Sequence, residues 1–541
     1  MALFKKKLNP YTFPLFMGIY FFVALNFTLN RHFLEIFSEL DDFSIGFAIS
    51  LPIFFIAAFT FIFSILSWPF TNRWLFPLLI LLCATVSYAM FNYGTVFDYL
   101  MIQNFVETNP AEASSYLNVY SIAWNLILGV IPALYILLRG FEKKPILKML
   151  GFKIGLMLAS IAVIAAIAGL YYKSYASVGR NNSDLREQIV PTYVLYSGFK
   201  YINKTYFSEP IPYRLVGEDA KQKPEALNAD KPTLMVFLLG ETARANNYQR
   251  NGYERPTNQH TAGDDVVYFS NVRSCGTATA VSVPCMFSQL PKRSYSNEMA
   301  KTQDNLIDVM KRAGIDMQWV ENDGGDKGVA KNIPLTTQDT SKSLENCNGS
   351  VCYDIAMFKN FDQQVAETQG NRVLFYHLIG SHGPTYYLRY PEEHRFFTPD
   401  CPRSDIENCT QEELVNTYDN TILYTDFIVH NTIEKVKALQ DKFNVAVFYL
   451  SDHGESLGEN GLYLHGAPYA IAPDYQTHIP MMFWSSEGFN QAKSLDTKCL
   501  ENYAATENLS HDNLFSSILG IMDVETNAYD KRLDMFATCR Q

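Results

Sequence analysis

Five uncharged apolar stretches occupy the first third of the chain and constrain its fold more than any other feature. Each is about twenty residues long, the length that a helix needs to cross the hydrocarbon core of a bilayer. A single stretch of this kind can be a buried helix of a soluble protein, but five in succession predict a five-helix transmembrane domain over residues 1–173. The stretches are residues 11–30, 46–66, 74–93, 120–138 and 154–172.

The basic residues predict the orientation of this domain, because cytoplasmic loops are rich in Lys and Arg. Lys5 to Lys7, Arg73 and the loop 139–148 fall on one side of the membrane, and the intervening loops are acidic. No small-residue cleavage pattern follows the first stretch, so we expect a retained anchor rather than a signal peptide. The N-terminus is therefore expected in the cytoplasm and residues 174–541 outside.

The outer part is strongly acidic. Residues 1–173 contain eleven Lys/Arg and eight Asp/Glu, a net charge of +3, so the remainder of the total charge of −11 is −14. Nucleic-acid-binding domains carry basic surfaces. We therefore expect no nucleic-acid partner.

Eight of the nine cysteines lie in the outer part, and Cys83 alone lies in an apolar stretch, where a structural thiol is expected. Closely spaced pairs in loop-like sequence indicate disulfides formed in an oxidising compartment. Spacing does not establish the connectivity, and a zinc–cysteine site is the alternative, although the chain has no Cys-x-x-Cys motif. The close pairs are Cys275/Cys285, Cys347/Cys352 and Cys401/Cys409, and Cys499/Cys539 is a wider fourth pair.

Residues 174–231 are expected to connect the two parts. Residues 191–207 interleave aromatic side chains with lysines, which is typical of a helix at the membrane interface. An amphipathic helix packed on the soluble domain is an equal alternative. Residues 217–232 are polar and predict a linker.

From residue 232 to 541, strand-like runs alternate with helical segments. Such alternation predicts an α/β domain with a parallel sheet and helices on both faces. Strands are expected at 233–239, 316–321, 372–378, 444–450 and 479–484. Helices are expected near 302–313, 354–367, 411–440 and 511–522.

Two of the predicted strands are followed by residues that bind metals. Glu241 follows the first strand, and Asp452 and His453 follow the fourth. Open α/β sheets place their chemistry beyond the carboxyl ends of strands. Either stretch alone is equally well explained as a strand cap and turn. Together, carboxylates and imidazole at two strand ends predict a site for a Zn²⁺-type ion.

Further polar side chains suit phosphoryl transfer. The Gly-containing loop 274–279 ends in Thr279 and leads into a helix, whose N-terminus favours an alkoxide and a bound phosphate. A simple helix cap is the alternative. His382 follows another predicted strand, and His465 follows His453 in the sequence. A lone histidine is more often structural, but His382 lies just past another strand end.

Four ordered motifs run through the outer part: Gly-Glu-Thr-Ala-Arg at 240–244, Cys-Gly-Thr-x-Thr at 275–279, Ser-His-Gly-Pro at 381–384 and Ser-Asp-His-Gly-Glu-Ser-Leu-Gly-Glu-Asn-Gly at 451–461. They resemble those of the lipid A phosphoethanolamine transferases of Gram-negative bacteria, members of the alkaline phosphatase and sulfatase superfamily. The resemblance extends over nearly the whole chain, including the five apolar stretches. It implies an alkaline phosphatase-like fold for the outer domain.

The resemblance also implies roles for individual residues. A catalytic zinc ion would be bound by Glu241, Thr279, Asp452 and His453, and Thr279 would also be the nucleophile. His382 and His465 would bind the phosphoethanolamine group or a second zinc ion, and one of them would protonate the leaving oxygen. The remaining substrate-binding residues would be Lys327, Asn104, Thr108 and Glu112. Gly324 replaces a serine that some relatives carry near this lysine, and the Cys499–Cys539 bridge is not found in every relative.

The activity implied is transfer of phosphoethanolamine from phosphatidylethanolamine to a phosphate of lipid A, through a covalent phosphoethanolamine-threonine. The enzyme would be a monomer in the bacterial inner membrane, in contact with membrane lipids, with its catalytic domain in the periplasm. Resistance to polymyxin would follow. The same chemistry on a core sugar or a periplasmic glucan, a phosphatase- or sulfatase-like hydrolase and a membrane-tethered sensor are the alternatives.

Overall fold

The computed structural model describes residues 7–39, 44–108, 110–207, 209, 211–349, 351–368 and 370–540. The chain divides into two compact units. The membrane unit comprises Met1–Ile102 and Leu117–Phe207, and the catalytic unit comprises Gln103–Tyr116 and Ser208–Gln541. A short stretch that precedes the fourth apolar segment in sequence therefore belongs to the catalytic unit.

The membrane unit is helical, as predicted. Among the described residues, four helices are long and apolar enough to span a bilayer: Ile45–Leu66, Asn72–Tyr93, Val119–Arg139 and Ile146–Tyr172. The last continues to Asn181. Phe13–Leu25 and Phe27–Ser38 meet at an angle of 67° and give a fifth span if they are counted as one.

The bend in the first predicted span lies at Asn26, a buried polar residue inside an apolar run. Its side-chain amide donates to the carbonyl oxygens of Phe21 and Val190, each at 2.8 Å. Its carbonyl oxygen accepts from the backbone N–H of Val190 at 2.9 Å. Because a polar group buried without partners is costly, these bonds tie the broken helix to the segment before the cis Val190–Pro191 bond.

Shorter helices complete the N-terminal part: Tyr99–Glu107, Pro110–Ser115 and Thr192–Ile202, the last extended by the π-helical turn Asn203–Phe207. The side chains of Phe199 and Tyr206 are about 70% exposed. Lys204 lies 4.8 Å from the ring centre of Tyr99. The aromatic and basic segment thus belongs to the membrane unit, which favours the interfacial alternative.

The catalytic unit is built on an eight-stranded sheet. In chain order the strands are β1 Thr233–Gly240, β2 Val267–Arg273, β3 Asp316–Glu321, β4 Leu335–Thr337, β5 Arg372–His377, β6 Asn444–Ser451, β7 His478–Ser485 and β8 Leu509–Ser510. Their spatial order is β8-β2-β7-β6-β1-β5-β3-β4. The middle strands β1 and β6 are buried throughout, which explains their unbroken apolar sequence.

The predicted parallel sheet with helices on both faces is confirmed for most strands, but the sheet is mixed, because the strand predicted at 479–484 runs antiparallel to its neighbours. β7 pairs antiparallel with both β6 and β2, whereas the other neighbouring strands are parallel. Apolar content predicts a strand but not its direction, which depends on the connection before it. Three strands of the sheet, β2, β4 and β8, were not predicted. The side chains of β2 alternate only partly between buried and half-buried positions.

Helices cover both faces of the sheet. Phe237, Phe375 and Phe448 belong to the hydrophobic core on one face, and on the other Tyr376 stacks on Phe358 with ring centres 4.6 Å apart. Beyond residue 207, the α-helices of this unit are Pro224–Leu227, Thr279–Met286, Asn297–Lys301, Leu306–Arg312, Phe361–Ala366, Gln411–Lys437, Asp474–Thr477, Glu487–Lys493, Thr497–Thr506 and Leu514–Ile521.

The eight cysteines of the catalytic unit form four disulfides, and Cys83 is a buried free thiol. The bridges join Cys275 to Cys285, Cys347 to Cys352, Cys401 to Cys409 and Cys499 to Cys539. The first closes the loop that leads into the helix beginning at Thr279.

Candidate active site

The candidate site lies at the carboxyl ends of four adjacent parallel strands, β6, β1, β5 and β3. Each of these ends carries polar side chains inside an otherwise apolar interior. Asp452 and His453 follow β6, Glu241 follows β1, and β5 and β3 end in His377 and Glu321. Strands of one direction bring their carboxyl ends to a single edge of the sheet, which is where α/β folds bind ligands.

Glu241, Asp452 and His453 form a compact, fully buried cluster. Potential ligand atoms of the three residues all lie within 4.8 Å of one another. His453 Nε2 is 3.4 Å from Glu241 Oε1 and 3.3 Å from Asp452 Oδ2. Asp452 Oδ1 accepts the backbone N–H groups of Thr242 and His453, which fixes the carboxylate.

Thr279 joins this cluster at the first residue of the helix Thr279–Met286. Its Oγ1 is 3.2 Å from both carboxylate oxygens of Glu241 and 3.4 Å from His453 Nε2. The hydroxyl therefore lies among the two acidic side chains and the imidazole, at the positive end of a helix dipole. The four residues expected to act together are thus brought together.

This donor set fits a zinc ion. The Gly454 carbonyl accepts from His453 Nδ1 at 3.0 Å, so Nε2 carries the lone pair that faces the carboxylates. Asp452 Oδ2 is buried and has no hydrogen-bond partner among the described residues. Burial, followed by the nearby Asp452 and Asp323, raises the pKa of Glu241 well above its ordinary value. A divalent cation would relieve the repulsion between the carboxylates of Glu241, Asp452 and Asp323. Two carboxylates with one imidazole are a ligand set that suits zinc.

His382 and His465 lie beside the cluster and are both buried. Their ring centres are 5.4 Å apart, and the ring centre of His465 is 4.6 Å from that of His453. Glu455 Oε2 is 3.1 Å from His465 Nδ1, and its Oε1 accepts from Tyr386 at 2.9 Å. Burial, followed by the charge of His465, holds the pKa of His382 well below its ordinary range. His382 is therefore neutral, whereas a carboxylate supports His465.

Lys327 lies on the loop after β3 with a positive φ of 49°, between Gly325 and Gly328, which also have positive φ angles. The loop lines a cavity of about 480 Å³ together with Lys301 and Pro284, a residue of the Thr279 helix. Lys327 also contributes to the low pKa of His382. The expected substrate lysine thus lies close to the histidines.

The segment Gln103–Tyr116 lies against the same helix. Asn297 Nδ2 donates to Gln103 Oε1 at 2.8 Å and to the carbonyl of Ala280 at 3.4 Å. Asn104 is half-buried, and its carbonyl accepts from Thr108 Oγ1 at 2.8 Å. The side chain of Glu112 lies outside the described residues. The structure thus links Gln103, the neighbour of Asn104, to the helix that begins at Thr279 through Asn297.

Several site residues were missed by sequence reasoning. His377 and Asp323 lie within 4.0 Å of each other beside Glu241, and Glu455 supports His465. A histidine that ends an apolar strand and an acidic residue two positions after His453 were the available signals. They become informative only when the strand order is known.

Gly380 is expected to be required for the position of Glu241. Its φ is +48°, and a Cβ atom there would lie 2.8 Å from the Glu241 carbonyl oxygen and 3.1 Å from its nitrogen. Gly380→Ala should therefore lower catalytic activity at least about tenfold and destabilise the catalytic unit by about 1–3 kcal/mol, measured as turnover and thermal unfolding. Gly370→Ala is the matched control, since its φ is +76° with nothing near the added methyl. Equal losses in both variants would contradict the steric argument.

Fold and site together define a membrane-anchored enzyme of the alkaline phosphatase and sulfatase type. Residues 233–524 match the sulfatase family, and residues 55–206 match the family described as phosphoethanolamine transferase EptA/EptB. The chain belongs to the phosphoethanolamine transferase family.

Its similarity to individual members of this family extends over nearly the whole chain. It is 39% identical to phosphoethanolamine transferase EptA of Escherichia coli over 99% of this chain and 98% of that protein. It is 33% identical to phosphatidylethanolamine transferase Mcr-1 of the same species, over 98% of both chains. The structure of the integral membrane lipooligosaccharide phosphoethanolamine transferase A of Neisseria meningitidis superposes with a TM-score of 0.93, 38% identity and coverage of 99% and 100%.

Proposed function

We propose that this protein transfers phosphoethanolamine from phosphatidylethanolamine to a phosphate of lipid A, by way of a phosphoethanolamine group bound to Thr279. The observation that carries the proposal is the buried Thr279 hydroxyl, held within 3.4 Å of Glu241 and His453 at a helix N-terminus. A threonine hydroxyl is a weak nucleophile until it is activated. Glu241, His453 and the helix N-terminus around it supply that activation.

The names of the relatives support the choice of substrates. One relative is named for phosphatidylethanolamine, and another, from Escherichia coli, is a Kdo(2)-lipid A phosphoethanolamine 7''-transferase that is 30% identical over 48% of this chain. Donor and acceptor are then both lipids. An enzyme with apolar spanning helices would meet both at the bilayer surface.

A zinc ion would be held by Glu241, Asp452, His453 and Thr279. When bound, it supplies positive charge that acidifies a coordinated hydroxyl and stabilises negative charge on the transferred group. Glu241, Asp323 and His382 form a second group of closely spaced ligand atoms in the described part of the chain, where a second ion would be held.

The first half-reaction releases diacylglycerol. Thr279 releases its hydroxyl proton to water, and its Oγ forms a bond to the donor phosphorus while the bond from phosphorus to the diacylglycerol oxygen breaks. That oxygen needs a proton, and we assign its delivery to His465, because the Glu455 carboxylate stabilises the protonated ring. His382 is neutral and would orient the phosphoryl oxygens.

The second half-reaction regenerates the enzyme. The lipid A phosphate gives its proton to His465, and its oxygen forms a bond to phosphorus. The bond from phosphorus to Thr279 Oγ breaks, which returns the alkoxide of Thr279. Lys327 would balance negative charge on the group in transfer, the dominant requirement in phosphoryl transfer. Asn104, Thr108 and Glu112 would contact the lipid substrates from the segment Gln103–Tyr116.

The proposed location is the bacterial inner membrane, with the N-terminus in the cytoplasm and the catalytic unit in the periplasm. The four disulfides support an oxidising compartment. Adding the ammonium of ethanolamine to lipid A reduces its negative charge. Cationic peptides such as polymyxin would then bind the outer surface less strongly.

The test is the mass of lipid A from cells that express the protein. We expect a species heavier by one phosphoethanolamine group and a higher tolerance of polymyxin in these cells. In an assay of the purified enzyme, a chelator that removes zinc should abolish transfer of phosphoethanolamine. Unmodified lipid A alongside a modified core sugar or glucan would refute the proposed acceptor. Turnover of a soluble phosphate ester without a lipid acceptor would instead indicate a hydrolase.

A further inference from the structure

His377, the last residue of β5, is fully buried behind Glu241. Its ring is fixed from one side: Nδ1 lies 3.0 Å from Oε2 of Glu321, its register partner on β3. Glu321 is itself rigidly held. Its Oε2 also accepts from the Trp319 indole at 2.9 Å, and its Oε1 accepts the backbone N–H groups of Asp323 and Gly324 at 2.7 and 3.0 Å.

The other ring nitrogen faces the zinc ligand. His377 Nε2 is 3.8 Å from Glu241 Oε2 and 4.0 Å from Asp323 Oδ2. It is buried and has no hydrogen-bond partner within the described part of the chain. Glu241 Oε1, by contrast, faces His453 Nε2 at 3.4 Å. The two oxygens of Glu241 therefore lie toward different imidazoles.

This arrangement suits control of a metal-binding carboxylate. A carboxylate ligand can rotate or exchange its two oxygens unless a second partner fixes one of them, and such outer partners commonly set metal affinity. A buried N–H without an acceptor is also costly, and a contact between Nε2 and Glu241 Oε2 would give this N–H an acceptor. A slight closure of the 3.8 Å gap is sufficient.

We propose that His377, oriented by Glu321, is a positioning residue that holds Glu241 Oε2 and so leaves Oε1 directed at the metal ion. The inference rests on the proposed function, because it assigns Glu241 as a zinc ligand. Glu321 then serves two parts of the site, since its other oxygen fixes the start of the loop that carries Lys327.

The alternative role for His377 is purely structural, as a core histidine paired with Glu321 and packed against Trp319 with ring centres 5.9 Å apart. Two amide substitutions separate these roles. The amide of His377→Gln reaches about as far as Nε2, toward Glu241, and that of His377→Asn only about as far as Nδ1, toward Glu321. If His377 acts through Glu241, glutamine should preserve the function that asparagine loses.

The experiment measures zinc binding by the purified full-length chain in detergent, by competition with a chromophoric chelator. The visible spectrum of the Co²⁺-substituted protein is recorded in parallel, because it reports ligand geometry. We expect His377→Asn to bind zinc about 10–100-fold more weakly than the unmodified chain, with an altered Co²⁺ spectrum, and His377→Gln to stay within about threefold of it. His478→Asn is the control, since His478 pairs with Asp474 and belongs to none of the groups of closely spaced ligand atoms found among the described residues.

The outcomes are distinguishable. Equal zinc affinity and identical Co²⁺ spectra in the unmodified chain and His377→Asn would overturn the inference and leave the proposed function intact. Greater loss in His377→Gln than in His377→Asn would assign His377 to the structural role. If the unmodified chain binds no zinc, the proposed function fails, and this inference fails with it. Thermal unfolding of the metal-free variants identifies any substitution that prevents folding. If His377→Asn does not fold, the zinc affinity of His377→Gln decides alone. An affinity within about threefold of the unmodified chain supports the inference, and a larger loss overturns it.

Discussion

Replacing Thr279 by alanine should abolish phosphoethanolamine transfer and the covalent intermediate together. The substitution removes the only side-chain oxygen that the helix Thr279–Met286 places 3.2 Å from Glu241 and 3.4 Å from His453. Loss of a catalytic nucleophile commonly lowers turnover by at least about 10⁴-fold, because the remaining groups have no atom to activate. The measurement is transfer of label from phosphatidylethanolamine to lipid A, with peptide mapping to locate the labelled residue.

Two variants control this experiment. Thr279→Ser retains a hydroxyl and should still become labelled, with lower turnover because the smaller side chain is less restricted in rotation. Thr277→Val removes a nearby buried hydroxyl that donates to the Ala467 carbonyl at 2.7 Å, away from the acidic cluster. It should cost about 1 kcal/mol of stability and leave the label in place. Label on Thr279→Ala, or full activity in that variant, would refute the covalent mechanism.

The grouping of Glu241, Asp452 and His453 was predictable because these residues follow strands that are buried on both faces. The unbroken apolar runs predicted β1 and β6. Parallel strands bring their carboxyl ends to one edge of the sheet, so Glu241 was expected near Asp452 and His453. A hydroxyl at the start of the helix after loop 274–279 was also predictable, but the role of Thr279 as nucleophile and the role of Lys327 were inferred from resemblance. Their roles, like those of the other assigned residues, stay predictions.

Other parts of the site depend on neighbours that no local pattern encodes. His377 meets Glu321 only because β5 and β3 are adjacent and in register. In the membrane unit, apolar content predicted the first stretch but not its break, which follows from hydrogen bonds between Asn26 and Val190, 164 residues later. To predict contacts of this kind, one must know which elements are neighbours in space, and composition and periodicity do not give that order.

Asp452→Asn is expected to have opposite effects on metal binding and on stability. Asp452 Oδ1 accepts two backbone N–H groups, and an amide oxygen can retain both bonds. Asp452 Oδ2 has no hydrogen-bond partner among the described residues and lies 3.3 Å from His453 Nε2. An amide N–H at that position can donate to the ring lone pair, and the repulsion from Glu241 disappears. The metal-free variant should therefore be more stable by about 1–3 kcal/mol.

The same change should remove zinc binding and, with it, phosphoethanolamine transfer, because an amide is a much poorer zinc ligand than a carboxylate. The measurements are the thermal unfolding midpoint in chelator and the zinc content of the purified chain. Asp426→Asn is the matched control: this buried carboxylate accepts from Asn258, His260 and Thr261, so the variant should lose stability and keep its zinc. If Asp452→Asn is instead destabilised like the control, or still retains zinc, Asp452 is a structural carboxylate and the ion is bound elsewhere.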